Sequence, residues 1–137
     1  MELLPAWAIS ASGLAAEQLR LDLVATNLAN VHTTRAADGG PYRRRVALFA
    51  EKLEAAGRFA GRGVRVAGIW KDTSPAQLVY DPNHPDADAR GYVALPNVNV
   101  VNEMVDLLTA TRAYEANVTV LNAAKSMALK ALEIGRA

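Results

Sequence analysis

The chain has 137 residues, 51% of them hydrophobic and 21% charged, which fits one folded unit and argues against wholesale disorder, collagen-like repeats or two separately buried cores. Fifteen Lys and Arg against fourteen Asp and Glu leave a formal charge of +1, so no global field draws the protein to nucleic acid or to an anionic membrane. There is no Cys and there are only two His, which excludes disulfides, thiolate chemistry and Cys-ligated zinc.

From Leu3 to Ala16 the chain is uncharged, but Glu2 precedes the stretch and the first positive charge is Arg20. A cleaved secretory signal needs a basic start, so none is read here. No run reaches the ~18 apolar residues of a membrane span. A helix is predicted over residues 9–31, where Leu14, Leu21, Val24, Leu28 and Val31 recur at helical spacing with Ala25 beside them. Ile9, Ala16, Leu19 and Leu23 form a second apolar set around the cylinder, and a helix apolar on two faces needs two neighbours. Ser10 or Ser12 can cap its start, while Thr33-Thr34 and Asp38-Gly39-Gly40-Pro41 mark a loop after it.

The middle of the chain reads as β. Residues 44–49, 63–70, 77–80 and 92–95 are short runs rich in Val, Leu and aromatics between Gly and Pro clusters. Three candidate motifs fall here. Gly61-Arg62-Gly63 lacks the third glycine of a dinucleotide fingerprint and leads into a strand. In Tyr42-Arg43-Arg44-Arg45, three consecutive Arg on a strand point to alternate faces, so they pair with acids of this or a neighbouring subunit more readily than they grip a nucleic-acid backbone. Asp81 through Asp88 gathers three carboxylates and His84, which raises a divalent metal. Read as a calcium loop from Asp86, however, it has Arg90 at position five and Asn97 at position twelve. The alternative is a Pro-stiffened turn whose Asp side chains bond nearby backbone amides.

The last element is a long helix from about Val100 to Ile134, with Glu103 and Asp106 in its first turns and no Gly or Pro between Val98 and Ile134. One stripe runs Leu107, Thr111, Tyr114, Val118, Leu121, Lys125, Ala128, Leu132; a second runs Ala113, Ala116, Val120, Ala123, Met127, Ala131, Ile134. Such a helix is roughly 50 Å long at ~1.5 Å per residue, whereas a globule of this size is about 35–40 Å across. The terminal helices therefore protrude and take partners from other chains. Charge is segregated as well: net −2, +6, −5 and +2 over residues 1–34, 35–71, 72–106 and 107–137. Either the strands neutralise each other within one chain, or the segments face different subunits. No Gly-x-Ser-x-Gly or His-Glu-x-x-His motif gives His32 or His84 a catalytic setting.

Ser10-Ala11-Ser12-Gly13-Leu14, Leu21 through Asn30 with its Asn27-x-x-Asn30 ending, Gly39-Gly40-Pro41-Tyr42, Tyr80-Asp81-Pro82 through Asp88, Pro96-Asn97-Val98-Asn99 through Asp106, and Arg112-Ala113-Tyr114-Glu115-Ala116-Asn117 together resemble the flagellar basal-body rod protein family, in its proximal-rod branch. Val31-His32 departs from that pattern. The resemblance implies a non-enzymatic axial subunit without cofactor or metal, exported through the flagellar type III apparatus without a cleaved signal. It implies assembly with copies of itself and other rod proteins across the periplasm, and transmission of motor torque, with no nucleic acid and no membrane span. The expected fold is α+β: long terminal helices (residues 1–34 and 99–137) paired as a coiled-coil-like hairpin, with a small antiparallel β region (35–98) between them. Expected subunit-interface residues are Leu14, Leu21, Val24, Leu28, Asn27, Asn30, Met104, Leu107, Tyr114, Asn117, Val118, Leu121 and Met127, with charged contacts from Arg43, Arg44, Arg45, Asp86 and Asp88. A helical adaptor module and a metal-dependent enzyme built on residues 81–88 are the alternative readings.

Overall fold

In a computed structural model of the chain, which describes residues 3–52 and 61–136, the elements run α1 (Leu3–Ala29), β1 (Arg45–Glu51), β2 (Val64–Lys71), β3 (Gln77–Tyr80), β4 (Tyr92–Leu95) and α2 (Val100–Gly135). The α+β reading holds. α1 starts six residues before the predicted helix, because Pro5 lies in the first turn, where a missing N–H breaks no intrahelical bond. It stops at Ala29, and Asn30 closes it, donating from Nδ2 to the Thr26 carbonyl (2.8 Å) and accepting from Thr33 Oγ1 (3.1 Å). α2 has 36 residues, about 54 Å at ~1.5 Å per residue. Its N-cap is Asn99, whose side chain accepts from the Asn102 amide (3.1 Å).

The two helices form an antiparallel hairpin. On α1, Gly13 lies so close to α2 that a Cβ there would stand 2.9 Å from Asn117 Nδ2, and Asn27 bonds Glu103 on α2 (3.2 Å). These two anchor points are fourteen residues apart on each helix, about four turns, so the pairing keeps one register along its length. The seam on α2 recurs every seven residues, with Glu103, Ala110 and Ala124 buried and Asn117 half-buried. Small residues on both helices, Gly13 and Ala16 on α1 and Ala110 and Ala124 on α2, allow the close approach.

The β region is two separate two-stranded antiparallel hairpins, β1–β2 with a bulge at Leu48/Phe49 and β3–β4 with Tyr80 opposite Tyr92. A lone two-stranded ribbon is marginal in water, and α1 braces the first one. The Val64 amide donates to Ser12 Oγ (3.0 Å), and the Asn27 side chain bonds both the amide (3.0 Å) and the carbonyl (2.9 Å) of Arg45. Gly63, at φ +107°, has no Cβ to collide with the Ser12 hydroxyl, which lets the ribbon come this near.

Apolar burial within the chain is modest: Ala16, Leu23, Val24, Tyr42, Val93, Val98, Ala110 and Ala124. Among the described residues 21 large hydrophobic side chains remain exposed, eleven of them on α2. Apolar side chains exposed along one helix mark a face against which another chain can pack. No described helix is long and apolar enough to cross a membrane.

Candidate functional site

Two features stand out: a buried polar tie at the base of the helical hairpin and the exposed apolar helix faces beyond it. The tie is centred on Asn27, which is 1% exposed. Its Nδ2 donates to the Arg45 carbonyl (2.9 Å) and Glu103 Oε2 (3.2 Å), and its Oδ1 accepts from Tyr42 Oη (2.8 Å) and the Arg45 amide (3.0 Å). A primary amide has two donors and two acceptor lone pairs, so Asn27 is saturated inside its own chain. Burial, opposed by Arg45 and reinforced by Glu103, raises the Tyr42 hydroxyl above its ordinary pKa.

Glu103, wholly buried, receives Arg44 Nε on Oε1. The same guanidinium reaches Asp106 Oδ2 (3.0 Å) and Asp72 Oδ2 (3.8 Å). Burial disfavours the charged Arg44, but the hydrogen bond and charge of Glu103, then of Asp106, outweigh it and hold the group above its ordinary value. Asn97 completes the tie, accepting from the Arg44 amide (2.9 Å) and donating to the Asp72 and Ser74 carbonyls (3.1 Å each). One polar cluster thus joins α1, the start of β1, the end of β2 and the first turn of α2.

The expected interface residues divide accordingly. Val24 and Asn27 are buried within the chain, and the structure places Asn27 on the internal tie instead of on an outer face. Leu14, Leu21, Leu28, Asn30, Leu107, Tyr114, Asn117 and Leu121 are half-buried along the hairpin. Met104 (56%), Met127 (56%) and Val118 are exposed. Of the charged residues, Arg44 and Asp86 are engaged inside the chain, while Arg43, Arg45 and Asp88 are exposed. Sequence reasoning missed the Arg44–Glu103 pair, reading Glu103 only as a first-turn acid. The opposed charges of residues 35–71 and 72–106 were the signal pointing to it.

The turn at residues 81–88 is built from side chain to backbone bonds. Asp81 Oδ1 accepts from the Asn83 amide (3.3 Å), His84 Nδ1 from the Asp86 amide (3.0 Å), and Asp88 Oδ1 from the Arg90 (2.8 Å) and Tyr92 (2.9 Å) amides. Among the described residues no three His, Asp or Glu side chains are grouped to hold a metal. Asp86 ties the turn to the loop after α1, accepting from Thr34 Oγ1 (2.6 Å) and Arg35 Nε (2.5 Å). The Thr34 hydroxyl and then Arg35 hold its carboxyl below the usual carboxylate range. A carboxyl with a lowered folded pKa stabilises the fold above its unfolded value, and that contribution is lost as pH falls through the lowered one. Melting measured at about pH 6 and about pH 3 is expected to show a smaller acid-induced fall in Tm for Asp86→Asn than for the parent chain. An equal fall would show that the tie contributes nothing.

Residues 8–36 match the family described as "Flagella basal body rod protein", and residues 89–134 match "Flagellar basal body rod FlgEFG protein C-terminal". The chain is also similar over nearly its whole length to proteins named "Flagellar basal-body rod protein FlgC". The relative from Borreliella burgdorferi is 50% identical, covering 92% of this chain and 93% of its own. That from Bacillus subtilis is 48% identical (93% and 95%), and that from Salmonella typhimurium 46% (99% and 100%).

Proposed function

Since the chain belongs to the flagellar basal-body rod protein family, we propose that it polymerises through the outer faces of its terminal helices into the axial shaft of the flagellum. It is a structural subunit of the rod, located in the flagellar basal body. The observation that carries the mechanism is the division of α2: its seam of Glu103, Ala110 and Ala124 is used within the chain, while Met104, Val105, Leu108, Val120, Met127 and Leu132 are left to water. Those side chains are the natural seats for helices of neighbouring copies and of other rod proteins. Leu14, Leu21, Leu28, Leu107, Tyr114, Val118 and Leu121, on or beside the hairpin groove, extend the same surface. Through that packing the shaft carries motor torque across the periplasm. The chain reaches it by the flagellar type III route, and a cysteine-free sequence suits a subunit that must fold after export into a compartment of different redox state.

Order is then graded along the hairpin. The polar tie holds the base, whereas the distal half of α2 has little apolar cover until a neighbour supplies it. Amide exchange is expected to show protection around Val98 to Ala110 in the free chain and slow exchange beyond Val118 only in isolated rods. Strong, equal protection of the whole of α2 in the free chain would overturn this coupling of order to assembly.

A further inference from the structure

A cleft of 420 Å³ beside the end of α1 and the start of β1 is lined by four cations, Arg35, Arg43, Arg45 and Lys71, and one acid, Asp38. Arg35 is taken by Asp86, and Lys71 by Asp38 (3.1 Å). Arg43 donates only to the Ser74 carbonyl (3.1 Å), and the Arg45 guanidinium lies over the Tyr42 ring, 5.8 Å from its centroid. Among the described residues neither arginine forms a close ion pair, although Arg45 acts at longer range on Asp38 and Arg43 on Asp72. The two exposed guanidinium groups leave the cleft able to accept further carboxylates at close range.

The matching donor is the acidic turn next to the cleft rim. Asp81 and Asp88 are exposed, sit in a turn stiffened by Pro82 and Pro85, and use only Oδ1 within the chain, on backbone amides. Their own turn is held to the cleft rim through Asp86 and Arg35, yet neither aspartate meets Arg43 or Arg45 in the same chain. We propose that the cleft receives the Asp81–Asp88 turn of a second copy, with Arg43 and Arg45 engaging its two free carboxylates. Used once per pair of copies, such a contact is head-to-tail and repeats from copy to copy, the mode an open helical array requires. It rests on the rod-subunit reading and uses, between copies, only the charge that the in-chain Arg35–Asp86 and Arg44–Glu103 pairs leave over.

The full-length chain tests this in solution. Arg43→Glu/Arg45→Glu is expected to weaken self-association measured by sedimentation about tenfold or more at low salt. Mixing that protein with an Asp81→Lys/Asp88→Asn variant is expected to restore association, since the amide introduced by Asp88→Asn keeps the acceptor oxygen the turn needs. Because the chain has no cysteine, Arg45→Cys and Asp81→Cys proteins can also be mixed and oxidised, and they are expected to yield a disulfide-linked heterodimer. Unchanged association in the arginine variant, no recovery on mixing, or a strictly monomeric chain that forms no heterodimer would each overturn the contact. The rod reading survives those results if charging the outer face of α2 still blocks incorporation.

Discussion

Replacing Glu103 by alanine is expected to destabilise the folded chain by about 3 kcal/mol, the scale for breaking one partner out of a buried ion pair, and to lower Tm by on the order of 10 °C. The carboxylate is fully buried and meets Arg44 on one oxygen and Asn27 on the other. Its loss leaves an Asn27 donor without an acceptor and a guanidinium that keeps only Asp106 and Asp72. The cost comes from the stranded partners, so the effect is cooperative. In a cycle with Arg44→Met, the double variant is expected to lose less than the two single losses added together, by about 1–3 kcal/mol. Strict additivity in thermal melts would mean that the two groups do not act as a pair. Glu103→Gln, which keeps an oxygen for Arg44 or Asn27, is expected to fall between the parent and the alanine variant.

Charging the outer face of α2 should do the reverse, sparing the subunit and removing the assembly. Leu108 and Met127 are each more than half exposed, on a helix already bonded through its other side. Leu108→Asp or Met127→Asp is expected to change the stability of the free chain by no more than about 0.5 kcal/mol. In the rod each site would bury a side chain worth about 1.5–3 kcal/mol, and an aspartate there would also lose its hydration. Since every subunit repeats the defect, incorporation should fail, leaving cells non-motile and basal bodies without the variant chain. Normal motility with both sites charged would remove this face from the interface. A melted free chain would place the residues in the subunit's own core.

The polar tie and the apolar faces differ in how far they could be read in advance. Both terminal helices are legible because 3.6-residue periodicity is local, and the absence of Gly or Pro from Val98 to Ile134 leaves α2 nothing to break it. The strands lie within a residue or two of the predicted runs, since β-branched and aromatic stretches between turn residues also act locally. Asn27 and Arg44 were harder. As residue types they read as surface groups, and their partners lie 76 residues away for Asn27 to Glu103 and 59 for Arg44 to Glu103. The central β region was expected only as small and antiparallel, and its division into two ribbons was not legible, because strand pairing depends on which edges the loops and α1 leave free.

Residue type and short-range spacing are enough to specify the elements, the surplus of apolar helix surface and the motifs shared with the rod proteins. Tertiary packing settles which face of each helix is used within the subunit, and it turns Asn27 and Arg44 inward to lock the hairpin through Glu103. A buried amide or guanidinium is stable only where every donor meets an acceptor, and that match exists once the two helices and both ends of the first ribbon are brought to one place.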